Sequence, residues 1–388
     1  MTDQTVSYDA DELIAEAKSQ TGFDDFGEPP YSEGLEVLLE TYDRHVKDSE
    51  GRKRCRDRVV TLLATRLKCE HAFNTIPAIA GQEIKAPIFV TGLPRSGTSA
   101  LLNLLVSAPD NRGLLQWEVQ FPDPWLDSRP GQEDPRYSSL VRALEQTRNP
   151  EFARIHYFDA DTPEECVMLH AYAFDGVQLG FEIMLEPYRG WLLQRDLEPV
   201  YTYQKRLMQM LNWRNPGKHW MLKAPAHMWG IDAILKVFPD ARFVWCHRDP
   251  ALVVPSVNSM NRVVMGMYAG DISHLDAAET GQAVMEWYAM SLERGLAQRA
   301  KLPPELFVDC SQREFVNEPM AVVEKVYRAF NLPLSDESRA AMQAHADGNP
   351  QGKHGKHEYK LAEFGLTREM IEARFAFYTG DKRWPISD

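Results

Sequence analysis

The chain has 388 residues, 44% of them hydrophobic and 26% charged, with a formal net charge of 43 − 56 = −13. That composition supports a packed core and excludes global disorder, and the acidic balance excludes the broad basic face that nucleic-acid binding needs. Five cysteines (Cys55, Cys69, Cys166, Cys246 and Cys310), none in C-x-x-C spacing, point to neither a disulfide framework nor a zinc site.

The N-terminal stretch MTDQTVSYDADELIAEA is acidic and lacks the apolar centre of a signal peptide. No run of about 18 apolar residues exists, so no membrane span is expected and a cytoplasmic protein is the default reading. Residues 9–20, 35–48 and 56–69 carry apolar positions at helical spacing, for example Leu35, Leu38, Leu39, Tyr42 and Val46. Residues 1–82 are therefore expected to form a helical N-terminal extension packed on a main domain spanning 83–388.

The main domain opens with APIFVTG, a short, fully apolar strand. The loop Gly92-Leu-Pro-Arg-Ser-Gly97-Thr98-Ser99 follows, then a helix over 98–107. Between this helix and the next strand lies a helical insertion, about 119–215, crowded with Tyr157, Phe158, Phe181, Tyr188, Trp191, Tyr201, Tyr203 and Trp213. Most of these aromatics are expected in a core, and a few are candidates for an apolar acceptor pocket. Within the insertion, Thr162-Pro163-Glu164-Glu165 has the pattern of a capped helix start. HWMLK (219–223), ARFVWCH (241–247) and ELFVDC (305–310) complete a set of buried strands alternating with helices. The fold class expected is α/β, a P-loop-type parallel β-sheet flanked by helices.

The loop has the two glycines of G-x-x-x-x-G-K-[ST] at the right spacing, between a strand and a helix, but Thr98 stands where the lysine belongs. Backbone N–H groups of Arg95, Ser96, Gly97, Thr98 and Ser99 are the candidate anion donors, aided by the Arg95 guanidinium and the Thr98 and Ser99 hydroxyls. The lysine that reaches the β- and γ-phosphates of a nucleoside triphosphate is missing. No strand-end aspartate is a convincing magnesium holder; Asp309 ends a strand but lies late in the chain. A donor that needs no metal fits better than ATP or GTP.

PIFVTGLPRSGT resembles the 5′-phosphosulfate loop of the sulfotransferases, which use 3′-phosphoadenosine 5′-phosphosulfate (PAPS). Its Arg-Ser-Gly-Thr form is similar to the Golgi tyrosylprotein sulfotransferases and to a bacterial group, whereas the cytosolic steroid and phenol enzymes usually carry Lys in place of Arg95. FVWCHRDPALVVPSVNS resembles the family's 3′-phosphate motif, with Arg248 at a strand end and Ser256 eight residues later. GKHGKHEY, with Lys353, His354 and Lys356, resembles in character the basic glycine loop that closes over that phosphate.

The resemblance covers roughly residues 85–360 and implies PAPS as co-substrate, no metal, and a small-molecule acceptor. It implies a general base as well. The tyrosylprotein enzymes use a Glu shortly after the helix that follows the loop, which here corresponds to Glu118, 23 residues past Arg95. His227 is the rival base, because cytosolic members use a His. Lys223, 25 residues before Arg248, is similar to the lysine that stabilises the leaving phosphate oxygen. Two other readings stay open: a P-loop kinase, and a nucleotide-binding protein without turnover.

Overall fold

A computed structural model describes residues 6–125, 132–147, 159–349 and 360–386. Lys353, His354, Lys356, Tyr157 and Phe158 lie outside the described residues. The centre is one parallel sheet of β1 (Ile88–Gly92), β2 (Asn111–Arg112), β3 (His219–Lys223), β4 (Arg242–His247) and β5 (Phe307–Ser311). The strand order is β2-β3-β1-β4-β5. All four neighbouring pairs run parallel, in registers such as Val90 with Lys223 and Gly92 with Cys246. The two-residue edge strand β2 has no apolar run, and nothing in the sequence marks it.

Alternation along these strands divides the core. Phe89, Trp220, Leu222, Phe243, Trp245 and Phe307 point to one face and belong to a cluster that also holds Leu13, Leu35, Leu38, Val59 and Leu63 of the N-terminal helices. Ile88, Val90, Met221, Val244, Cys246, Val308 and Cys310 point to the other. There they meet α4 (Thr98–Val106) and the helix Pro319–Ala329 through Leu101, Leu105, Val322 and Val326. A side-chain period of two on a sheet buried on both sides requires this division into an aromatic and an aliphatic face.

The N-terminal segment forms α1 (Ala10–Thr21), α2 (Ser32–His45) and α3 (Ser49–Thr75), close to the expected ranges except that α3 extends beyond its range at both ends. Asp48 starts α3 by accepting a hydrogen bond from the Gly51 N–H. Arg66, fully buried on α3, donates to the carbonyls of Phe26, Gly27, Pro29 and Tyr172 and stacks on Tyr31 and Tyr203. A buried guanidinium is tolerated because its donors meet acceptors, and here they tie the first 30 residues to the insertion. Tyr188, Tyr201 and Tyr203 are buried core residues rather than pocket lining, while Trp213 is more than one-third exposed.

One local expectation is overturned. Thr162-Pro163-Glu164-Glu165 does not start a helix with a Thr cap. Pro163 instead makes an antiparallel bridge with Leu115. The Glu164 N–H donates to the Leu114 carbonyl (2.7 Å) and the Gln116 N–H to the Thr162 carbonyl (2.9 Å). Backbone groups engaged between the two segments in this way are unavailable to a first helical turn. A 3₁₀ helix begins only at Cys166 and runs to Ala173.

Candidate active site

Strands β1, β3 and β4 all run parallel, so their C-terminal ends share one edge of the sheet. The chain moves from β1 out to β2, back to β3, and then across β1 to β4. That places β1 where strand order reverses, the usual position of a ligand crevice in an open α/β sheet. The glycine loop leaves β1 at this point, with Lys223 at the end of one neighbour and Arg248 at the end of the other.

Backbone geometry requires the loop's glycines. Gly92 has φ 132°, and a Cβ there would lie 2.1 Å from the Cys246 carbonyl oxygen of the adjacent strand. Gly97, at φ 94°, turns the chain into α4 and offers no side-chain cap. The first N–H groups of α4 are therefore left for an anion. Arg95 adopts the left-handed region at φ 63° and is exposed. Ser99 is exposed and Thr98 buried. The Ser96 hydroxyl donates to the Leu93 carbonyl (2.6 Å), so this side chain braces the loop.

The two arginine motifs meet. The Arg248 Nη1 donates to the Arg95 carbonyl, so the segment after β4 sits directly beside the glycine loop. Asp249 caps the long helix α5 (Pro250–Ala269) by accepting from the Ala251 N–H, and Ser256 lies buried on that helix. On the opposite side, the Thr91 hydroxyl donates to the Ala224 carbonyl (3.1 Å) and ties β1 to the residue after Lys223.

Lys223 has a partner that the sequence did not reveal. Its Nζ lies 2.6 Å from Glu165 Oε1; the lysine side chain is 2% exposed and the glutamate 27%. This carboxylate is open to solvent on one side and held by a buried ammonium on the other. Fifty-eight residues separate the two, and no spacing rule links them. Reading Thr162–Glu165 as a helix start had given Glu165 a purely local role.

Glu118, the expected base, is differently placed. Its two oxygens accept from Arg112 Nη1 (2.8 Å) and Nη2 (2.7 Å), and Oε2 also accepts from the Leu115 N–H (3.1 Å). Arg112 bonds the Asn215 carbonyl as well and stacks on Trp220. The pair is buried and clasps β2 to the start of the insertion. A buried carboxylate committed to a bidentate guanidinium and a backbone N–H is poorly placed to take a proton from a ligand, and the geometry favours a structural task for Glu118.

His227 is likewise inaccessible. It is fully buried, its ring edge-on to Phe89 at 4.9 Å. Its Nε2 lies 2.9 Å from Cys166 Sγ and its Nδ1 2.9 Å from Tyr201 Oη. Burial, with Lys223 and His170 nearby, pushes its pKa well below the ordinary histidine value. Asp309, the aspartate considered as a magnesium holder, is taken up by Arg299 (2.6 Å to each oxygen) and by His247 (2.7 Å). Among the described residues no cluster of His, Cys, Asp and Glu is arranged to hold a metal ion. Among the same residues no helix is long and apolar enough to cross a membrane.

Known proteins share this architecture. The chain is similar to the crystal structure of sulfotransferase STF9 from Mycobacterium avium, with TM-score 0.88 and 29% identity over 100% of this chain and 98% of that one. It is also similar to sulfotransferase STF1 from Mycobacterium tuberculosis H37Rv, with TM-score 0.83 and 33% identity over 96% of this chain and 100% of that one. Omega-hydroxy-beta-dihydromenaquinone-9 sulfotransferase Stf3 of Mycobacterium bovis is 24% identical over 252 residues, which span 63% of this chain and 63% of that relative. Residues 87–336, which run from the first strand of the sheet past the last, match the sulfotransferase family. With a glycine loop lacking the lysine and two flanking cationic strand ends, the chain belongs to the sulfotransferase family.

Proposed function

We propose that this protein moves the sulfuryl group of PAPS onto a hydroxyl of a small, largely apolar acceptor by in-line transfer. The observation that carries the reading is the arrangement along one sheet edge: the Arg95 loop at the centre, Arg248 against it on one side, and the Lys223–Glu165 pair on the other. Sulfuryl transfer, like phosphoryl transfer, is mainly a matter of positioning and charge neutralisation. The loop amides and Arg95 would hold the sulfuryl end. Arg248 and Ser256 would hold the 3′-phosphate.

Glu165 takes the role of general base in place of Glu118, because its carboxylate combines solvent access with an ion pair to the strand-end Lys223. Lys223 has three donors. One fixes Glu165, and the others are available to the oxygen that departs with the nucleotide. The acceptor class is drawn from the name of the Stf3 relative, whose substrate is a hydroxylated menaquinone derivative. A cytoplasmic location is proposed with it, in keeping with five free, buried cysteines.

The test combines binding with transfer. Thermal-shift titration should show stabilisation by 3′,5′-bisphosphoadenosine and none by ATP with magnesium. Labelled sulfuryl transfer from PAPS should appear on hydroxylated isoprenoids or phenols and persist in EDTA. Arg95→Ala and Arg248→Ala should each weaken bisphosphoadenosine by about 1.5–3 kcal/mol, roughly 10–150-fold. Full affinity in both variants, or stabilisation by ATP alone, overturns the reading.

A further inference from the structure

Behind the Lys223–Glu165 pair lies a buried polar chain that the transfer chemistry does not use directly. It starts at Tyr201, on the helix Glu198–Arg214, passes through His227 and Cys166, and ends at the backbone of Lys223. Tyr201 Oη lies 2.9 Å from His227 Nδ1, and His227 Nε2 lies 2.9 Å from Cys166 Sγ. The Cys166 thiol in turn donates to the Lys223 carbonyl at 3.6 Å. All three side chains are essentially sealed from solvent.

The chain has one direction that satisfies every donor. The Tyr201 O–H donates to Nδ1, the Nε2–H donates to sulfur, and the S–H donates to the Lys223 carbonyl. In the reverse sense, among the described residues, the Tyr201 hydroxyl hydrogen has no acceptor and the thiol no longer reaches that carbonyl. Leaving a buried donor unpaired is costly, which selects the first arrangement. Burial also keeps each member uncharged: the Cys166 thiol is pushed up to about 12, the Tyr201 phenol well up, and the His227 imidazole well down. An uncharged chain with every donor committed acts as a strut and not as a proton relay.

Its Cys166 end lies next to the reacting groups. Cys166 follows Glu165 directly, and the carbonyl it reaches belongs to Lys223. We infer that Tyr201, His227 and Cys166 are positioning residues that hold the Glu165 carboxylate against the Lys223 ammonium for sulfuryl transfer. This rests on Glu165 and Lys223 serving the transfer as proposed above. It also gives a task to the histidine buried four residues after the strand-end lysine.

The decisive variant is Tyr201→Phe, which removes one hydroxyl and keeps the ring against His170. Turnover is expected to fall between about 10- and 100-fold, the range for a slight misplacement of reacting groups. The KM for PAPS and the affinity for bisphosphoadenosine should stay near wild type. A crystal structure of the variant should show the Lys223 Nζ to Glu165 Oε1 distance beyond hydrogen-bond reach, more than about 3.5 Å. Cys166→Ala should reproduce the defect and Cys166→Ser should rescue it, because a hydroxyl can still accept from Nε2–H and donate to the carbonyl. If Tyr201→Phe does not fold, the two Cys166 variants carry the test by the same measurements. Wild-type kcat in folded Tyr201→Phe or Cys166→Ala, or an unchanged Lys223–Glu165 contact in either, overturns the inference. If the wild-type protein transfers no sulfuryl group, the function reading fails separately, and the interatomic distance alone decides this one.

Discussion

Replacing Glu165 and Glu118 in turn by Gln tests the carboxylate proposed as base against the one paired with Arg112 in the fold. Glu118 and Arg112 are 3% and 7% exposed at their side chains and joined by two parallel bonds. Breaking such a pair from one side costs about 3–5 kcal/mol, because the remaining charge stays buried. The unfolding entropy is about 2.1 cal/mol/K per residue, so for 388 residues it is about 0.8 kcal/mol/K. Glu118→Gln should therefore lower Tm by about 4–6 °C, with kcat near wild type at temperatures where the protein is folded.

Glu165 is about one-quarter exposed, and its Gln analogue can still accept from Lys223. The Lys223 ammonium left behind is only 2% exposed, so the stability loss should be of the same order, about 3–5 kcal/mol, or about 4–6 °C in Tm. Turnover distinguishes the two: for Glu165→Gln it should fall by about 10²–10⁴, a barrier increase of about 2.7–5.4 kcal/mol, while bisphosphoadenosine still binds. Scanning calorimetry and labelled transfer on the same preparations give both quantities. A Glu118→Gln protein with wild-type Tm and a hundredfold loss of kcat, beside a fully active Glu165→Gln, would refute the assignment.

Gly92→Ala should be severe and Gly97→Ala milder. Both force a side chain into a positive-φ conformation, at about 1–3 kcal/mol, but only the Gly92 variant drives a Cβ to 2.1 Å from a carbonyl oxygen, whereas at Gly97 the nearest atom is 3.5 Å away. Calorimetry showing equal Tm for the two would contradict the close approach of β1 and β4. Acid should destabilise the protein through His170, whose Nε2–H donates to Gln204 Oε1 (2.7 Å) and whose pKa burial lowers to about 4. The unfolded state binds this proton below about 6.5 and the folded state only below about 4, so stability is full above pH 6.5 and falls through that window. The loss should reach a few kcal/mol, about 1.4 per unit of pKa, and a denaturation series showing no difference between wild type and His170→Gln from pH 7 to 4 would contradict it.

Local chemistry carried much of the fold into the sequence. Four apolar runs became β1, β3, β4 and β5 within a residue or two, because a strand buried on both faces has to be apolar throughout. Gly92 and Gly97 marked the loop because backbone conformation and contact at those points exclude a side chain. Arg95 and Arg248 were legible because each immediately follows a turn or strand that fixes where it emerges. Edge strand β2 was not legible, since two residues of pairing leave no periodicity.

The partners of the carboxylates and of His227 were decided by tertiary structure alone. Glu118 sits six residues from Arg112, and only a folded chain shows whether that distance closes into a bidentate pair. Glu165 meets Lys223 because a bridge between Leu115 and Pro163 holds its segment extended and because β3 ends beside it. Sequence spacing encodes conformation over a few residues. Which charges are paired, buried or left facing a ligand depends on segments far apart in the chain, and the balance between desolvation and pairing is set only when they meet.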